Sequence, residues 1–255
     1  MKIALYSDLH LELYPEEDTW EPPVLDADLV ILAGDIDAGI HGIEWAARTF
    51  RQQQRRPEII YVPGNHEFYG LNFRDTIAEM RKAADMMGIH LLDNDAVEIA
   101  GVRVLGATLW SDFELYDRRE ASMFIAQHYI SDYSVISVDN RRLIKPSDTI
   151  QFHNESRAFL ESELSKPFDG RTIVATHFAP HLECIEARFE GGEFTPFFTV
   201  DMASLMKKYP IDLWAFGHTH FNVDFVDCGC RVISNQRGYS HEEVEGFRDD
   251  LVIEV

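Results

Sequence analysis

The sequence contains few cysteines. Only Cys184, Cys228 and Cys230 occur in 255 residues, which is too few for a framework of disulfide bonds. The pair Cys228-Gly229-Cys230 is favoured as two thiols at a strand end over a metal-binding or redox pair. We therefore expect a reduced, cytoplasmic setting for the protein.

Long apolar runs are lacking as well. The first apolar segment, residues 2–6, is broken by Ser7-Asp8 before it reaches the length of a signal-peptide core. No other run approaches the ~20 apolar residues that a membrane-spanning helix requires. The expectation is a chain with neither a secretion signal nor a membrane segment.

Basic residues are scarce relative to acidic ones. The sequence has 23 Lys and Arg against 44 Asp and Glu, which gives a formal net charge of −21. Such an excess of negative charge repels long polyanions, including duplex nucleic acid and anionic membranes. Any anionic ligand that the protein binds is therefore expected to be held at a locally positive site.

Length and composition are those of one large globular domain, residues 1–255. The 45% apolar content is ordinary for a protein with a substantial core. Residues 110–146 are charged and aromatic without a clear periodicity, so we predict an insertion or cap there, with a helix at residues 118–130. The stretch Trp110-Ser111-Asp112-Phe113 is expected either to line a pocket or to form a surface turn.

What the sequence does contain is an alternation of short apolar strands with amphipathic helices. The predicted strands are 2–6, 28–33, 59–62, 97–100, 102–107, 172–176 and 213–216, with three more in the tail, 222–226, 231–234 and 251–255. The predicted helices are 42–54, 72–87, 147–164 and 202–207. Ser147 is expected to be the N-cap of the third helix. The β-α-β-α opening implies parallel neighbours, and the later hairpin implies antiparallel additions. The predicted fold class is therefore α/β with mixed sheets.

Polar side chains follow five of these predicted strands. They are Asp8 and His10, Asp35, Asn65 and His66, His177, and His218 and His220. In open α/β sheets ligands gather beyond the carboxyl ends of the strands, so we expect these side chains to converge on one crevice. Imidazole nitrogens, carboxylates and an amide oxygen suit Mn²⁺, Fe or Zn²⁺, and the absence of thiolates argues against a structural zinc site.

The ordered motifs resemble those of the calcineurin-like metallophosphoesterase superfamily, most closely its small bacterial phosphodiesterases. The motifs are Asp8-x-His10, Gly34-Asp35, Gly64-Asn65-His66-Glu67, His177 and Gly217-His218-Thr219-His220. The resemblance implies a four-layer α/β/β/α sandwich with a binuclear metal site at the carboxyl ends of the strands. It implies two divalent ions, Mn being the first expectation and Fe, Zn or Mg the others.

The resemblance also implies a role for each residue. Asp8, His10 and His220 are expected to bind one ion, Asn65, His177 and His218 the other, and Asp35 to bridge the two. His66 is expected to assist the leaving group, or to steady the phosphoryl oxygens, while a metal-bound hydroxide attacks a small phosphodiester. A phosphomonoesterase using the same site is the alternative; a non-catalytic metal-binding scaffold is a third reading, which the full set of ligand residues disfavours.

The second motif departs from two branches of the superfamily. Gly34-Asp35-Ile36-Asp37-Ala38-Gly39 lacks the arginine of the protein Ser/Thr phosphatases. Ala38 also stands where the purple acid phosphatases require a tyrosine. The small phosphodiesterases, including those that act on cyclic nucleotides, are the remaining match.

Residues around the motifs offer further candidates. His181, Arg237 and Tyr239 are expected to contact substrate, the arginine through a phosphate oxygen and the tyrosine by stacking. Glu67 and Asp37 are each expected either to orient neighbouring ligands or to cap loops, and the sequence leaves that choice open. Gly64 is expected to let the chain turn sharply after its strand.

Overall fold

The computed structural model describes residues 1–15, 20–139 and 142–255. Within them the strands are β1 Lys2–Tyr6, β2 Leu29–Ala33, β3 Glu58–Val62, β4 His90–Leu91, β5 Asp95–Ile99, β6 Val102–Ala107, β7 Ser137–Val138, β8 Arg142–Leu143, β9 Arg171–Thr176, β10 Leu213–Phe216, β11 Asp224–Asp227, β12 Cys230–Ser234 and β13 Val252–Glu254. The α-helices are α1 His41–Arg51, α2 Phe73–Met87, α3 Arg119–Tyr129, α4 Asp132–Val135, α5 Pro146–Leu164, α6 Thr195–Phe198 and α7 Ala203–Lys208.

The larger strands form two sheets, each with a parallel centre. The first sheet has the order β13-β1-β2-β3-β4, in which β1 to β4 are parallel and β13 is antiparallel. The second has the order β11-β12-β10-β9-β6-β5, with antiparallel strands β11 and β5 at its two edges. The prediction of mixed sheets is confirmed. The two-residue strand β4 was not predicted, because so short an apolar run carries no periodicity.

Alternate residues of the central strands face two different apolar cores. Ile3 and Leu5 of β1 belong to a core shared by the inner faces of both sheets, whereas Ala4 and Tyr6 face the other way. Such strands are buried on both sides, which is why they are nearly continuous apolar runs. Helices α1 and α2 pack beside the first sheet and α5 beside the second, so the layers follow the predicted order α/β/β/α.

Helix boundaries follow local capping chemistry. Asn72 caps α2 through its side-chain oxygen, which accepts from the amides of Arg74 and Asp75, and α2 ends at Gly88 in the left-handed conformation. Helix α5 begins at Pro146, so Ser147 lies inside the first turn and its prediction as the N-cap was wrong. The Asp148 carboxylate caps this end by accepting from the amide of Lys145 at 2.8 Å.

The predicted insertion, residues 110–146, contains α3, α4 and the β7–β8 hairpin; residues 140 and 141 lie outside the described part. Trp110 and Phe113 are buried, and Trp110 packs against Phe68 and Phe178. The expectation that this stretch lines a pocket or forms a surface turn was wrong, because its aromatic rings are part of the core. No helix in the described residues is long and apolar enough to cross a membrane.

Candidate metal centre

The carboxyl ends of the central strands of both sheets meet at one edge of the sandwich. The loops after β1 and β2 are joined by a hydrogen bond from the amide of Asp8 to the carbonyl of Gly34 at 3.0 Å. The loops after β9 and β10 are joined by the amide of Gly217, which donates to the carbonyl of His177 at 2.9 Å. The amide of His218 donates to the Asp8 carboxylate at 2.9 Å, which ties the two sheets together at this edge.

Five of the seven predicted metal ligands lie in the left-handed region of backbone space. The φ angles are 54° at Asp8, 48° at His10, 54° at Asp35, 75° at His218 and 48° at His220. This region is uncommon for residues other than glycine, although aspartate and histidine tolerate it better than most. Each such position costs about 1–3 kcal/mol and persists only where the surrounding structure imposes it. The chain therefore concentrates backbone strain where these side chains leave their strands.

The first group of predicted ligands is Asp8, His10 and His220. Nε2 of His10 lies 3.1 Å from Nε2 of His220, which is 3.5 Å from Oδ1 of Asp8. The Nδ1 atoms of the two rings donate to carboxylates, that of His10 to Glu12 at 3.2 Å and that of His220 to Glu242 at 2.5 Å. Burial lowers the pKa of His220, but its hydrogen bonds to Asp8 and Glu242 outweigh it and raise the pKa to about 10, so its Nε2 atom can donate a proton to Nε2 of His10. A divalent ion bound by these side chains would replace that proton. The donor set fits a divalent metal ion.

The second group contains Asp35, His177 and His218, with Asn65 beside them. Nε2 of His177 lies 3.3 Å from Oδ2 of Asp35 and 3.0 Å from Oδ1 of Asn65. Burial and the neighbouring His177 hold the pKa of His218 well below its usual range, so this ring is neutral. Its Nε2 atom is buried and has no hydrogen-bond partner in the described residues. Burial lowers the pKa of His177, but the charge of Asp35 outweighs it and raises the pKa to about 9, so a divalent ion bound here would displace a proton from this ring. Imidazole nitrogens beside carboxylate and amide oxygens again fit a divalent cation.

Asp35 lies between the two groups. Its Oδ2 atom is 3.3 Å from Nε2 of His177 in the second group and 3.9 Å from Nε2 of His10 in the first. Burial alone would raise the pKa of this carboxyl, but the neighbouring histidines, His177 foremost, hold it well below its usual range. Asp35 is therefore an ionised carboxylate in a position to contact two ions at once.

Two glycines allow the motif loops to pack this closely. A Cβ atom on Gly64 would collide with the Asp35 carboxylate, and one on Gly34 would collide with the ring of His177. Gly34 also has a φ of 86°, which other residues rarely adopt. Gly64 is not among the residues with positive φ, so what it provides is space for Asp35 rather than the sharp turn that the sequence suggested.

His66 follows Asn65 and faces the cleft outside the two ligand groups. Its Nδ1 atom donates to Glu12 at 2.9 Å, its Nε2 atom lies 3.4 Å from the hydroxyl of Tyr239, and its ring stacks on that of Tyr69 with centroids 3.9 Å apart. Burial lowers the pKa of His66, but the charge of Asp35 and the hydrogen bond to Glu12 outweigh it and raise the pKa to about 9. The ring is thus a protonated donor near neutral pH.

Glu12 is a site residue that the sequence reasoning missed. One carboxylate oxygen, Oε1, accepts hydrogen bonds from both His10 and His66, and so joins a predicted metal ligand to the predicted proton donor. The signal for it was present in the sequence, because Asp8, His10 and Glu12 occupy alternate positions after β1.

Glu67 proves to combine the two roles left open for it. Its buried carboxylate accepts four hydrogen bonds, from the amides of Asp35, Ile36 and Gly64 and from the hydroxyl of Tyr61. It caps the loops after β2 and β3. These hydrogen bonds fix the positions of the two loops, and of their predicted ligands Asp35 and Asn65, relative to each other. Asp37 only accepts from the amide of the next residue, Ala38, at 2.7 Å, which is a local loop cap.

Of the three predicted substrate contacts, Tyr239 lies at the site. The centroid of its ring is 4.4 Å from that of His10 and 4.7 Å from that of His220, and the ring forms part of the cleft wall. It therefore contacts two predicted ligands as well as His66.

The structure does not bring His181 and Arg237 to the cleft wall. The guanidinium of Arg237 lies over the rings of Tyr14 and Trp20, at 4.5 and 5.6 Å from their centroids. Nε2 of His181 lies 3.4 Å from the carboxylate of Asp227. In both cases the side chain contacts residues elsewhere in the fold, which local sequence could not indicate.

Asp132, at the start of α4, is a second residue that the sequence reasoning missed. It is fully buried, and its Oδ1 atom accepts from the side-chain amide of Asn65 at 3.0 Å and from the hydroxyl of Tyr69 at 2.7 Å. Because the amide nitrogen of Asn65 is held there, the amide oxygen faces His177 in the second ligand group. The predicted insertion thus contributes a residue that positions a predicted metal ligand.

Replacing Asp132 by alanine is expected to weaken metal binding by ~10–100-fold, since loss of a partner that orients a ligand typically has this effect. Titration calorimetry of Mn²⁺ into the metal-free protein measures it. Asp139→Ala is the matched control, because Asp139 belongs to the same insertion but is exposed and pairs with Arg74 on the surface. Equal Mn²⁺ affinity of the Asp132 variant and the unaltered protein would contradict the positioning role.

Comparison with known proteins gives a consistent set of relatives. The family model described as calcineurin-like phosphoesterase matches residues 1–222. The chain is 30% identical over 272 residues to uncharacterized protein L509 of Acanthamoeba polyphaga mimivirus, covering 95% of this chain and 93% of that protein. It is 25% identical over 112 residues to an uncharacterized metallophosphoesterase of Helicobacter pylori, covering 42% of this chain and 29% of that protein.

A solved structure with a similar fold is that of phosphopantetheinyl hydrolase from Mycobacterium tuberculosis. The TM-score is 0.71 at 19% sequence identity, and the match covers 93% of this chain and 89% of that one. At this level of identity the likeness concerns the fold, and it agrees with the layered α/β arrangement described above.

Proposed function

The chain belongs to the calcineurin-like phosphoesterase family, and we propose that it hydrolyses a small phosphodiester at a centre of two divalent metal ions. Metal-dependent cleavage of phosphoesters is the chemistry of the family. The observation that carries the two-ion proposal is the position of Asp35, whose Oδ2 atom is 3.3 Å from His177 and 3.9 Å from His10, one residue in each ligand group.

Each ion would be held by one group, with Asp35 shared. The first ion would take Asp8, His10 and His220, and the second Asn65, His177 and His218. We propose manganese for both, because nitrogen and oxygen donors without thiolate suit it; iron, zinc and magnesium are the alternatives. When bound, the ions supply Lewis acidity that polarises the phosphoryl oxygens and activates the attacking water.

We propose that His66 protonates the leaving oxygen. The hydrogen bond from Nδ1 to Glu12 fixes the ring and leaves Nε2 directed towards the hydroxyl of Tyr239 and the cleft. A proton on Nε2 can pass to the leaving oxygen as the P–O bond breaks, and the ring regains its proton from solvent after the product leaves. General-acid assistance of this kind contributes ~10²–10⁴-fold to the rate.

The charge of the cleft disfavours negative charge on the substrate beyond the reacting phosphate. Arg188 is the one lysine or arginine among the described side chains that line it, whereas five glutamates, from Glu186 to Glu245, do so. The second charge of a monoester would lie on the reacting phosphate itself, where the metal ions would balance it. We propose a diester because its second organic group is uncharged and has room in the cleft. The glutamates of the cleft, with the net charge of −21, also disfavour long nucleic acid.

Two assays on the manganese-loaded protein test this proposal. We expect kcat/KM for bis-p-nitrophenyl phosphate, a diester, to exceed that for p-nitrophenyl phosphate, a monoester, by at least ~10-fold, which corresponds to about 1.4 kcal/mol of extra transition-state binding from the second organic group. A higher kcat/KM for the monoester would favour the phosphomonoesterase instead. Hydrolysis of neither compound would contradict the enzymatic proposal and favour a metal-binding scaffold.

The cellular setting and domain organisation stay predictions. The three cysteines, all unpaired, agree with the reduced, cytoplasmic setting that we propose. The proposed single domain, residues 1–255, would include the segment 110–146 as a cap that contributes Asp132 to the site.

A further inference from the structure

A cleft of about 910 Å³ opens directly outside the two ligand groups. Four of the predicted metal ligands, Asp35, Asn65, His218 and His220, line its floor. The volume is within the ~300–1,000 Å³ typical of sites for small molecules. Since the reacting phosphate would lie on this floor, the organic group attached to that phosphate would extend into the rest of the cleft.

One wall of the cleft is aromatic and exposed. The rings of Tyr129, at the end of α3, and Phe194, in the loop before α6, meet edge to face with centroids 6.2 Å apart. Tyr129 is 72% exposed, Phe194 43% and Phe189, on the same wall, 52%. Single exposed aromatic residues are ordinary, but several lining one cleft indicate a surface that binds something apolar.

The aromatic wall continues to the metal centre. Phe197 and Phe198 also line the cleft, and their rings lie 5.3 and 5.0 Å from that of the predicted ligand His218. Aromatic side chains therefore line the cleft both at its exposed rim and beside the predicted ligand His218, where Phe197 is itself buried.

The charged groups of the cleft limit what else the substrate can carry. Arg188, the one lysine or arginine among the described lining residues, is already paired with Glu186 at 2.7 Å. Apart from His66, which lies beside the metal centre, the other charged side chains above the floor in the described lining are acidic, among them Glu193, Glu243 and Glu245. A second phosphate beside these glutamates would meet negative charge.

We propose that the aromatic wall is the subsite for the organic group of the substrate, and that it selects esters with one phosphate and a flat aromatic group. The proposal rests on the phosphoesterase function above and adds the substrate class. Stacking on Phe194 and Tyr129 would hold the aromatic group, while the glutamates would reject substrates with further phosphates.

Binding of phosphinates tests the subsite without requiring turnover. Diphenylphosphinate and dimethylphosphinate both carry one negative charge and have P–C bonds that cannot be hydrolysed. We expect calorimetric titration of the manganese-loaded protein to show diphenylphosphinate binding at least ~10-fold more tightly. Phe194→Ala and Tyr129→Ala should each weaken diphenylphosphinate by about 3- to 10-fold and leave dimethylphosphinate unchanged.

Phe124→Ala is the matched control, because Phe124 is on α3 like Tyr129, is 63% exposed and does not line the cleft. It should change neither affinity. Methylenebis(phenylphosphinate), which adds a second negative charge, should bind more weakly than diphenylphosphinate.

Any one of three results would overturn the proposed subsite. These are equal affinities for the two phosphinates, an equal loss of affinity for both in the alanine variants, and a higher affinity for the doubly charged compound than for diphenylphosphinate. Failure of the proposed function is a separate observation. It would appear as no hydrolysis of bis-p-nitrophenyl phosphate by a protein that still prefers diphenylphosphinate.

Discussion

Replacing Asp35 by asparagine should release both metal ions and lower phosphoesterase activity at least ~10²-fold. Removing a residue that only hydrogen-bonds to a metal ligand already costs up to this much, and Asp35 is proposed to be a ligand itself. Asparagine can keep the hydrogen bond that Oδ1 accepts from the amide of His66 at 2.9 Å. Its NH₂ group would then replace Oδ2 between His10 and His177. A neutral donor would stand where both ions require a negatively charged acceptor.

Metal content after dialysis, measured by elemental analysis, checks this prediction, and circular dichroism establishes that the variant is folded. Asp37→Asn is the matched control: it removes a carboxylate two residues away that only accepts from the amide of Ala38. This control should keep both ions and full activity. Two equivalents of metal in the Asp35 variant would refute the shared position of that carboxylate.

The predicted ligands could be found from sequence because residues directly before them in the chain indicate where they lie. Each motif follows a buried strand, and parallel strands bring their carboxyl ends to one edge of a sheet. Asp8 and His10, for instance, needed only the apolar run before them to be placed near Asp35. The structure gathers all seven predicted ligands into two adjacent groups on this basis, although their individual roles stay proposals.

Partners that are distant in sequence could not be found in the same way. Glu12 and His66 are 54 residues apart, and Asp132 and Asn65 are 67 apart. Nothing in a single sequence pairs them, because their contact depends on how loops of different elements pack. Asp132 was further hidden in a segment whose charged and aromatic composition carries no clear period.

The wrong expectations have the same origin. Arg237 has the right chemistry for a phosphate and follows the right strand, yet its guanidinium packs over Tyr14 and Trp20. Trp110 follows β6 much as the motif residues follow their strands, yet its ring is buried against Phe68 and Phe178. Residue type and position were sufficient to propose a role in both cases, but tertiary packing determined where the side chain lies.

His66→Ala tests the proton donor and should separate turnover from metal binding. The backbone amide of His66, rather than its ring, donates to Asp35 at 2.9 Å, and alanine retains this amide. The His66 ring lies outside the two predicted ligand sets, although it forms a third possible metal-binding group with Glu12 and the predicted ligand His10, in which its Nδ1 atom is bonded to Glu12. We therefore expect unchanged metal content and a kcat lower by ~10²–10⁴-fold.

The dependence of this loss on the leaving group distinguishes acid catalysis from a structural effect. Phenolate is a poorer leaving group than p-nitrophenolate and needs the proton more, so the variant should lose more activity on diphenyl phosphate than on bis-p-nitrophenyl phosphate. Glu12→Gln should show the same trend with a smaller loss, because Glu12 orients the ring and raises the pKa of His66. Equal losses on both substrates would remove His66 as the acid and leave it a structural role beside Tyr69, on whose ring it stacks at 3.9 Å.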